Sequence, residues 1–293
     1  MIHNSLSISL SRRFYYFIIL FGTFILVWLL VWLTAPNGKL KFYALDVGQG
    51  DAIFIETPRK NQILVDGGPN SKVLSELGEV MPFYDRTIDL IVLTHPQQDH
   101  IFGLVEVLKR YKVANVLITG VDYSGGAYEE FKKIISEKGI NVFIAQSGQK
   151  VFLDKDTSLD VLYPFEKLFS EKFAGDVNDT SVAAVLSFGN KKFLLAGDAG
   201  LMEEAGLVNS GADIDIDVLK LNHHGSKYAN SRLFLEKTSP EIAVVSSGKN
   251  NRYGHPHKET LGRLANIPLY RTDTQGRIAV LTDGKDLSVK TER

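Results

Sequence analysis

Thr94-His95-Pro96-Gln97-Gln98-Asp99-His100 brings two imidazoles and one carboxylate into a stretch between the apolar run Ile88 to Leu93 and the apolar segment Ile101 to Leu108. Nitrogen and oxygen donors on a strand-to-helix loop suit a borderline or hard divalent cation such as Zn²⁺ or Mn²⁺. A turn can aim neighbouring side chains at one point, whereas a regular strand sends them to opposite faces. The loop reads as one wall of a hydrolytic metal site. A plainer reading stands beside it, in which Asp99 accepts from the first backbone N–H groups of the following helix and the histidines lie on the surface.

Polar residues of the same kinds recur where apolar strands end. Asp66 follows Ile63-Leu64-Val65, His95 follows Ile91-Val92-Leu93, Asp198 follows Phe193 to Gly197, and His223 follows Val218-Leu219-Lys220-Leu221. Sites in layered α/β proteins collect at strand ends, where a rigid scaffold meets loops that are free to vary. Taken singly, Asp66 and Asp198 are turn residues beside glycine, and His223 and His224 are a surface pair. One shared context for all four positions favours a site.

The elements that must position these residues follow from periodicity. Lys39 to Asp46, Ala52 to Glu56 and Ile63 to Asp66 are expected as a meander of antiparallel strands. From residue 72 strands and helices alternate: a helix over Val73 to Val80, a strand over Ile88 to Leu93, a helix over Ile101 to Arg110, a strand over Val113 to Thr119, a helix over Ala127 to Lys138 closed by Gly139, and a strand over Ile140 to Ala145. The second half repeats the progression. Strands are expected at Ser158 to Tyr163, Ser181 to Phe188 and Lys191 to Ala196, the last two a hairpin through Gly189-Asn190. A helix over Leu201 to Asn209, strands at Asp217 to Leu221 and Ile242 to Ser246, a helix over His257 to Ala265 and a late strand at Arg277 to Thr282 complete it. Two such halves suggest two sheets packed face to face with helices outside.

Composition narrows the partners and the ligands. With 33 Lys plus Arg against 34 Asp plus Glu the formal charge is −1, so no global field attracts nucleic acid and any polyanion contact must be local. The chain has no cysteine, which removes disulfides and thiolate ligands and leaves a metal to His, Asp, Asn and water.

Residues 1–36 differ in composition from the rest. Phe14 to Leu33 carries no charge over twenty residues, enough at about 1.5 Å per residue to cross a hydrocarbon core of roughly 30 Å. Arg12 and Arg13 precede it, and Trp28 and Trp32 lie near its far end. The positive-inside tendency then leaves the N-terminus cytoplasmic and the main body facing outward, against Lys39 and Lys41 on the other flank. The apolar run exceeds the core of a signal peptide and no small-x-small site follows, so an uncleaved single-pass anchor is expected. Ala35-Pro36-Asn37-Gly38 breaks the helix and begins the body.

Five segments occur in one order: Ala44-Leu45-Asp46-Val47-Gly48-Gln49-Gly50-Asp51-Ala52, Thr94 to Leu104, Leu194-Leu195-Ala196-Gly197-Asp198, Val218 to Ser226, and Asn251-Arg252-Tyr253-Gly254-His255-Pro256. Together they resemble the metallo-β-lactamase-like domain of ComEC-type DNA-uptake competence proteins, over about residues 39 to 290. The resemblance implies an αββα sandwich with one or two divalent ions, Zn or Mn, between the upper edges of its sheets. The organisation is then an anchor over residues 1–36 and a hydrolase domain over 37–293. ComEC proteins also carry a multi-helix channel region, for which this chain has one helix, so a separate DNA-uptake channel protein is a candidate partner.

Carried over residue by residue, the resemblance implies that His95, Asp99 and His100 ligate, that Asp198 bridges two metals, and that His223 or His224 completes the second position. Asp66 would orient ligands from behind. Asn178 or Asp179 stands where the wider superfamily often has another histidine. Gln97 departs from the pattern, standing where the superfamily has a histidine and ComEC proteins commonly an aspartate. A neutral amide binds a divalent cation less strongly than either, so one tight and one weak metal are expected. Phe102 replaces a frequent glycine and is expected to narrow the cleft mouth.

The expected reaction is hydrolysis of a phosphodiester, with DNA the leading substrate. Asp198 or Asp99 would accept the water proton and His255 would donate to the leaving oxygen or bind phosphate. Ser226, Lys227 and Arg252 are candidate phosphate contacts. Two alternatives remain at this stage: the same fold acting on another ester or a lactone, and a non-catalytic DNA-binding or assembly module.

Overall fold

A computed structural model describes residues 3–36, 38–168, 175–264 and 266–293. Asn37 of the breaker and Ala265, the expected end of a helix, lie outside the described residues, as do the side chains of Trp32 and Leu33. Contacts divide the chain into two units, 1–37 and 38–293. The first contains one helix, α1 (His3–Thr34). Its stretch Arg12–Val31 is, among the described residues, the one helix long and apolar enough to cross a membrane, and its described side chains are exposed.

In the second unit the first half runs β1 (Leu40–Ala44), β2 (Ile53–Glu56), β3 (Gln62–Val65), α2 (Lys72–Val80), β4 (Thr87–Leu93), α3 (Gln98–Arg110), β5 (Lys112–Ile118), α4 (Gly126–Lys138) and β6 (Asn141–Ile144). The other half runs β7 (Lys150–Phe152), β8 (Thr157–Tyr163), β9 (Ala183–Phe188), β10 (Lys191–Leu195), α5 (Leu201–Asn209), β11 (Val218–Lys220), α6 (Arg232–Thr238), β12 (Ile242–Val245), α7 (Lys258–Arg263), β13 (Leu269–Arg271), α8 (Thr272–Gln275), β14 (Ile278–Thr282) and β15 (Leu287–Thr291). Two sheets result, in the orders β15-β14-β1-β2-β3-β4-β5-β6 and β13-β12-β11-β10-β9-β8-β7.

Each sheet has an antiparallel part and a parallel part. Strands β1 to β3 form the expected meander, and β3 to β6 pair in parallel with helices as crossovers. In the second sheet β7 to β10 are antiparallel and β10 to β13 parallel. The parallel strands β11 and β12 are buried almost throughout because helices cover one side and the other sheet covers the opposite one. Between the sheets lies a core that includes Phe42, Ile55, Val65, Leu186 and Phe193, with the Phe42 and Phe193 rings 5.3 Å apart. The outer face of the first sheet packs on α2, α3 and α4 through residues such as Leu77, Leu104 and Phe131. That of the second packs on α5 and α6 through Leu207 and Phe234. The architecture is thus the αββα sandwich.

The short edge strands β7, β13 and β15 and the helix α6 are additions to the periodic reading. They are three to seven residues long, too short for periodicity to declare them. One boundary matters more. Helix α3 begins at Gln98 rather than Ile101, with Gln97 extended at its N-cap, so Asp99 and His100 belong to the first helical turn and not to a loop. The turn after β3 is laid directly on that helical turn. The Gly67 N–H donates to the His100 carbonyl at 2.7 Å and the Gly103 N–H to the Gly68 carbonyl at 3.0 Å. A Cβ on Gly103 would stand 1.8 Å from the Gly67 carbonyl oxygen, so only glycine permits this approach.

Candidate metal centre

The approach of β3 to α3 brings Asp66 against His100. Asp66 adopts a left-handed backbone (φ 58°), tolerable for aspartate, and its carboxylate accepts from the Thr94 N–H at 2.9 Å and the Thr94 hydroxyl at 2.7 Å. The same carboxylate lies 2.8 Å from His100 Nδ1. His100 Nδ1 therefore carries a proton, and Nε2 points at Asp198 Oδ1, 3.3 Å away, where its lone pair becomes available to a cation once the second proton leaves.

His224 repeats this arrangement from the second sheet. Two acceptors flank its Nδ1, the Ser246 carbonyl at 3.0 Å and Asp51 Oδ1 at 3.2 Å. Its Nε2 then faces Asp99 Oδ2 at 3.4 Å and Asp198 Oδ2 at 3.5 Å. His95 follows suit. Its Nδ1 contacts the Thr94 hydroxyl at 3.1 Å and the Ser181 hydroxyl at 3.3 Å, and its ring is centred 4.1 Å from that of His100. All three imidazoles are tied at Nδ1, and in all three the buried Nε2 has no hydrogen-bond partner. Histidines that hold a metal are fixed in this way, with the second ring nitrogen anchored to an oxygen behind it.

Asp99, His100, Asp198 and His224 each offer a donor atom, all within 4.8 Å of one another. The unpartnered buried atoms Asp198 Oδ1, His100 Nε2 and His224 Nε2 fit a divalent cation among them, since buried polar atoms otherwise find partners. A second group of such proximity, Asp51, Asp66 and His100, is occupied otherwise: Asp66 by Thr94 and Asp51 by the Lys220 ammonium at 2.7 Å. Those carboxylates orient histidines from behind.

The choice between the neighbouring histidines is made by the backbone. His223 and His224 both take left-handed conformations (φ 49° and 52°), each costing an L-residue about 1–2 kcal/mol. The turn sends His224 inward, 1% exposed, and leaves His223 at the rim with Nε2 3.7 Å from Asp198. Glu204 holds this segment from α5. Its buried carboxylate accepts from the Asn222 amide and the Ser231 N–H, 2.9 and 2.8 Å away, and from the Asn230 N–H.

Charge follows geometry. Burial opposes protonation of His100, but Asp198 and Asp66 raise it well above its ordinary value. Burial likewise opposes His224, which Asp198 and Asp51 push up to about 10. Asp198 is held well below the usual carboxylate range by His224 and His100, against the cost of its burial. His95, with burial dominant and His100 beside it, falls to about 3 and is neutral.

The remaining candidates separate. Asn178, buried in the 3-10 turn Val177–Thr180 that leads to Ser181, has an unpartnered Oδ1, whereas Asp179 is absent from the converging set. Gln97 is half-buried and caps α3, its carbonyl accepting from the N–H groups of His100 and Ile101. His255 is reached from the last loop. Gln49 Oε1 accepts from the Gly248 N–H, which turns its amide nitrogen towards His255 Nδ1, 3.4 Å away. His255 is depressed to about 4 by burial and by His224 and His223, so at neutral pH it offers a neutral Nε2–H rather than an imidazolium.

Two expectations need correction. Ser226 is 2% exposed, and its hydroxyl accepts from the Tyr228 N–H, so this residue shapes the turn and cannot reach a substrate phosphate. Phe102 lines a groove with Tyr123 and Tyr128, while the cavity beside Asp99 is lined by Gln49, Arg252 and Tyr253. Lys227 and Arg252 lie over the rings of Tyr228 and Tyr253. The sequence reading also passed over Asp51, Lys220 and Glu204. The available signal was a lysine inside the apolar strand Val218-Leu219-Lys220-Leu221, since such a charge stays buried only when paired.

The model of the metallo-beta-lactamase superfamily matches residues 45–249. The chain belongs to that superfamily. The ComE operon protein 3 of Bacillus subtilis is 32% identical over 253 residues, covering 80% of this chain and 32% of that protein. Competence protein ComA of Neisseria gonorrhoeae is 30% identical over 250 residues, 83% of this chain and 32% of that one. The chain spans about a third of the length of these relatives. Among solved structures, Igni18, described as a metallo hydrolase from Ignicoccus hospitalis, superposes with a TM-score of 0.54 at 16% identity, over 82% of this chain and 98% of that one, which shows the shared fold. Membership of the metallo-beta-lactamase superfamily and the converging donors support metal-dependent hydrolysis.

Proposed function

We propose that the chain is a membrane-anchored, metal-dependent phosphodiesterase that cleaves DNA outside the cytoplasmic membrane. The observation that carries the reading is the convergence of Asp99, His100, Asp198 and His224 from both sheets, with His100 Nε2, Asp198 Oδ1 and His224 Nε2 unpartnered. These four would hold one ion tightly. His95 and Asn178, with Gln97 two residues on from His95, would hold a second one weakly. Zn²⁺ and Mn²⁺ both suit the nitrogen and oxygen donors.

A divalent ion supplies a water of pKa near 7 and neutralises phosphodiester oxygens. The chain's own residues do the rest. Asp198 or Asp99 would take the proton from the attacking water. His255, held by Gln49 with Nε2–H free, would donate a hydrogen bond to a phosphoryl or leaving oxygen; its depressed pKa suits that role better than proton transfer. Arg252 and Lys227 would meet flanking phosphates. The relatives named as competence proteins favour DNA over other esters, and a separate DNA-uptake channel protein would be the partner. The apolar helix α1 would anchor the domain in one pass with the body outside.

The test is turnover of single-stranded and duplex DNA by full-length protein loaded with Mn²⁺ or Zn²⁺. Cleavage abolished by Asp198→Asn is expected. Intact DNA under every metal would sink the reading.

A further inference from the structure

The cavity that reaches Asp99 is not closed at its far side. It measures about 480 Å³, with Gln49, Asn251 and Arg252 in its wall. A second cavity of about 330 Å³ shares Gln49 and Asn251, so the two adjoin across these side chains. The shared residues are fixed. Gln49 is held by Gly248 and His255, and the Asn251 amide donates to the carbonyls of Gly248 and His255 at 2.9 and 2.6 Å. Both volumes lie at the small end of the about 300–1,000 Å³ typical of ligand sites.

The second cavity differs in charge from the first. Lys72, Lys249 and Arg293 line it, against Asp46 and Asp273. Asp46 lies between two of the cations, 3.1 Å from Lys72 and 3.2 Å from Arg293, so one carboxylate fixes both and neutralises one. Asp273 is already met by Arg271 at 2.7 Å. A positive excess therefore remains in a protein whose formal charge is −1. Lys249 is exposed at the rim.

We infer that this second cavity is a subsite for a further phosphate of the substrate, so that the chain takes a polynucleotide strand with successive phosphodiesters rather than a small monoester or lactone. The inference rests on the phosphodiesterase reading. A strand whose scissile phosphate sits at Asp99 continues past Gln49 and Asn251, and its next backbone phosphate meets Lys72, Lys249 and Arg293. Cations along a groove that carry no base-reading groups give binding that is sequence-tolerant and salt-dependent.

Full-length, metal-free protein in detergent is titrated with fluorescent single-stranded oligonucleotides carrying one, two or four phosphodiesters, read by anisotropy at several salt concentrations. Affinity is expected to rise from the one-phosphate to the two-phosphate probe. Lys249→Glu should remove that rise, weakening the longer probes by about fivefold or more, and Lys249→Ala should lower the salt slope by about 0.7. Replacing the second phosphate by a neutral methylphosphonate should cost the wild type as much as Lys249→Glu does, and the two changes together no more than one. The melting temperature and Mn²⁺ affinity of each variant report folding, and because both lysines are exposed Lys72→Ala serves as a second variant. Affinity independent of length, or equally weakened by Lys249→Glu for all probes, overturns the subsite. Failure of metal-loaded protein to cut DNA would overturn the activity instead, since strand binding is read without metal.

Discussion

The two proposed metal positions have Asp198 as a common neighbour and differ in everything that makes a ligand strong. Around His224 and His100, imidazoles are backed by carboxylates, Asp51 with Lys220 on one side and Asp66 on the other. Around His95, the ring is backed only by the hydroxyls of Thr94 and Ser181, and the further donors proposed there are the neutral amides of Asn178 and Gln97. A carboxylate behind an imidazole raises its basicity and fixes its tautomer, whereas a hydroxyl only fixes it. Affinity in such a site is therefore decided one residue behind the ligands as well as at them.

The largest effect that would break this comparison is at Asp198. Asp198→Ala should abolish the tight step in Mn²⁺ calorimetry, lowering affinity by more than about a hundredfold, since residues behind a ligand already cost about 10–100-fold. A tight step that survives would mean that the four donors do not act together. Asp51→Asn comes next, with a loss of about 10–100-fold at the tight step and little change at the weak one. Its partner sharpens the point. Lys220→Met leaves Asp51 buried without its ammonium partner and should destabilise the fold by up to about 3–5 kcal/mol, while the double variant should melt closer to wild type, a non-additivity readable by denaturant titration.

Gln97→His tests the weak position directly, and the weak step should tighten on the order of tenfold while the tight step stays. Two equally tight steps in the wild-type protein would refute the asymmetry outright. The smallest effect concerns protons. His100 is raised well above its ordinary value and His224 to about 10, so in the metal-free protein both are protonated at neutral pH and an incoming metal must expel those protons. The tight step should thus weaken as pH falls from 8 to 6 and release protons into the buffer. His95, lowered to about 3, is neutral throughout that range, so the weak step should change by less than about twofold.

Much of the scaffold was legible because it is local. The alternation at Ile88 to Leu93, the hairpin at Gly189-Asn190 and the Gly139 stop depend on neighbours within a few residues, and each lies where the sequence placed it. The start of α3 was not, because Pro96 hid a helix whose first turn carries Asp99 and His100. Edge strands β7, β13 and β15 escaped for another reason: at three to five residues each is too short to show a pattern of its own and is defined by its pairing with β8, β12 or β14.

The sequence by itself determined the donor types, their place at strand ends and the order of the five segments that resemble the ComEC-type domain. Spacing within a short segment is enforced by covalent geometry, so those features survive without a fold. Only the tertiary structure decided which histidine turns inward at 223–224, why Lys220 is buried against Asp51 across 169 residues, and that Ser226 is closed off from the cleft. These outcomes depend on how two sheets register face to face, and no local interaction encodes which side chains from opposite sheets will share one buried, low-dielectric volume.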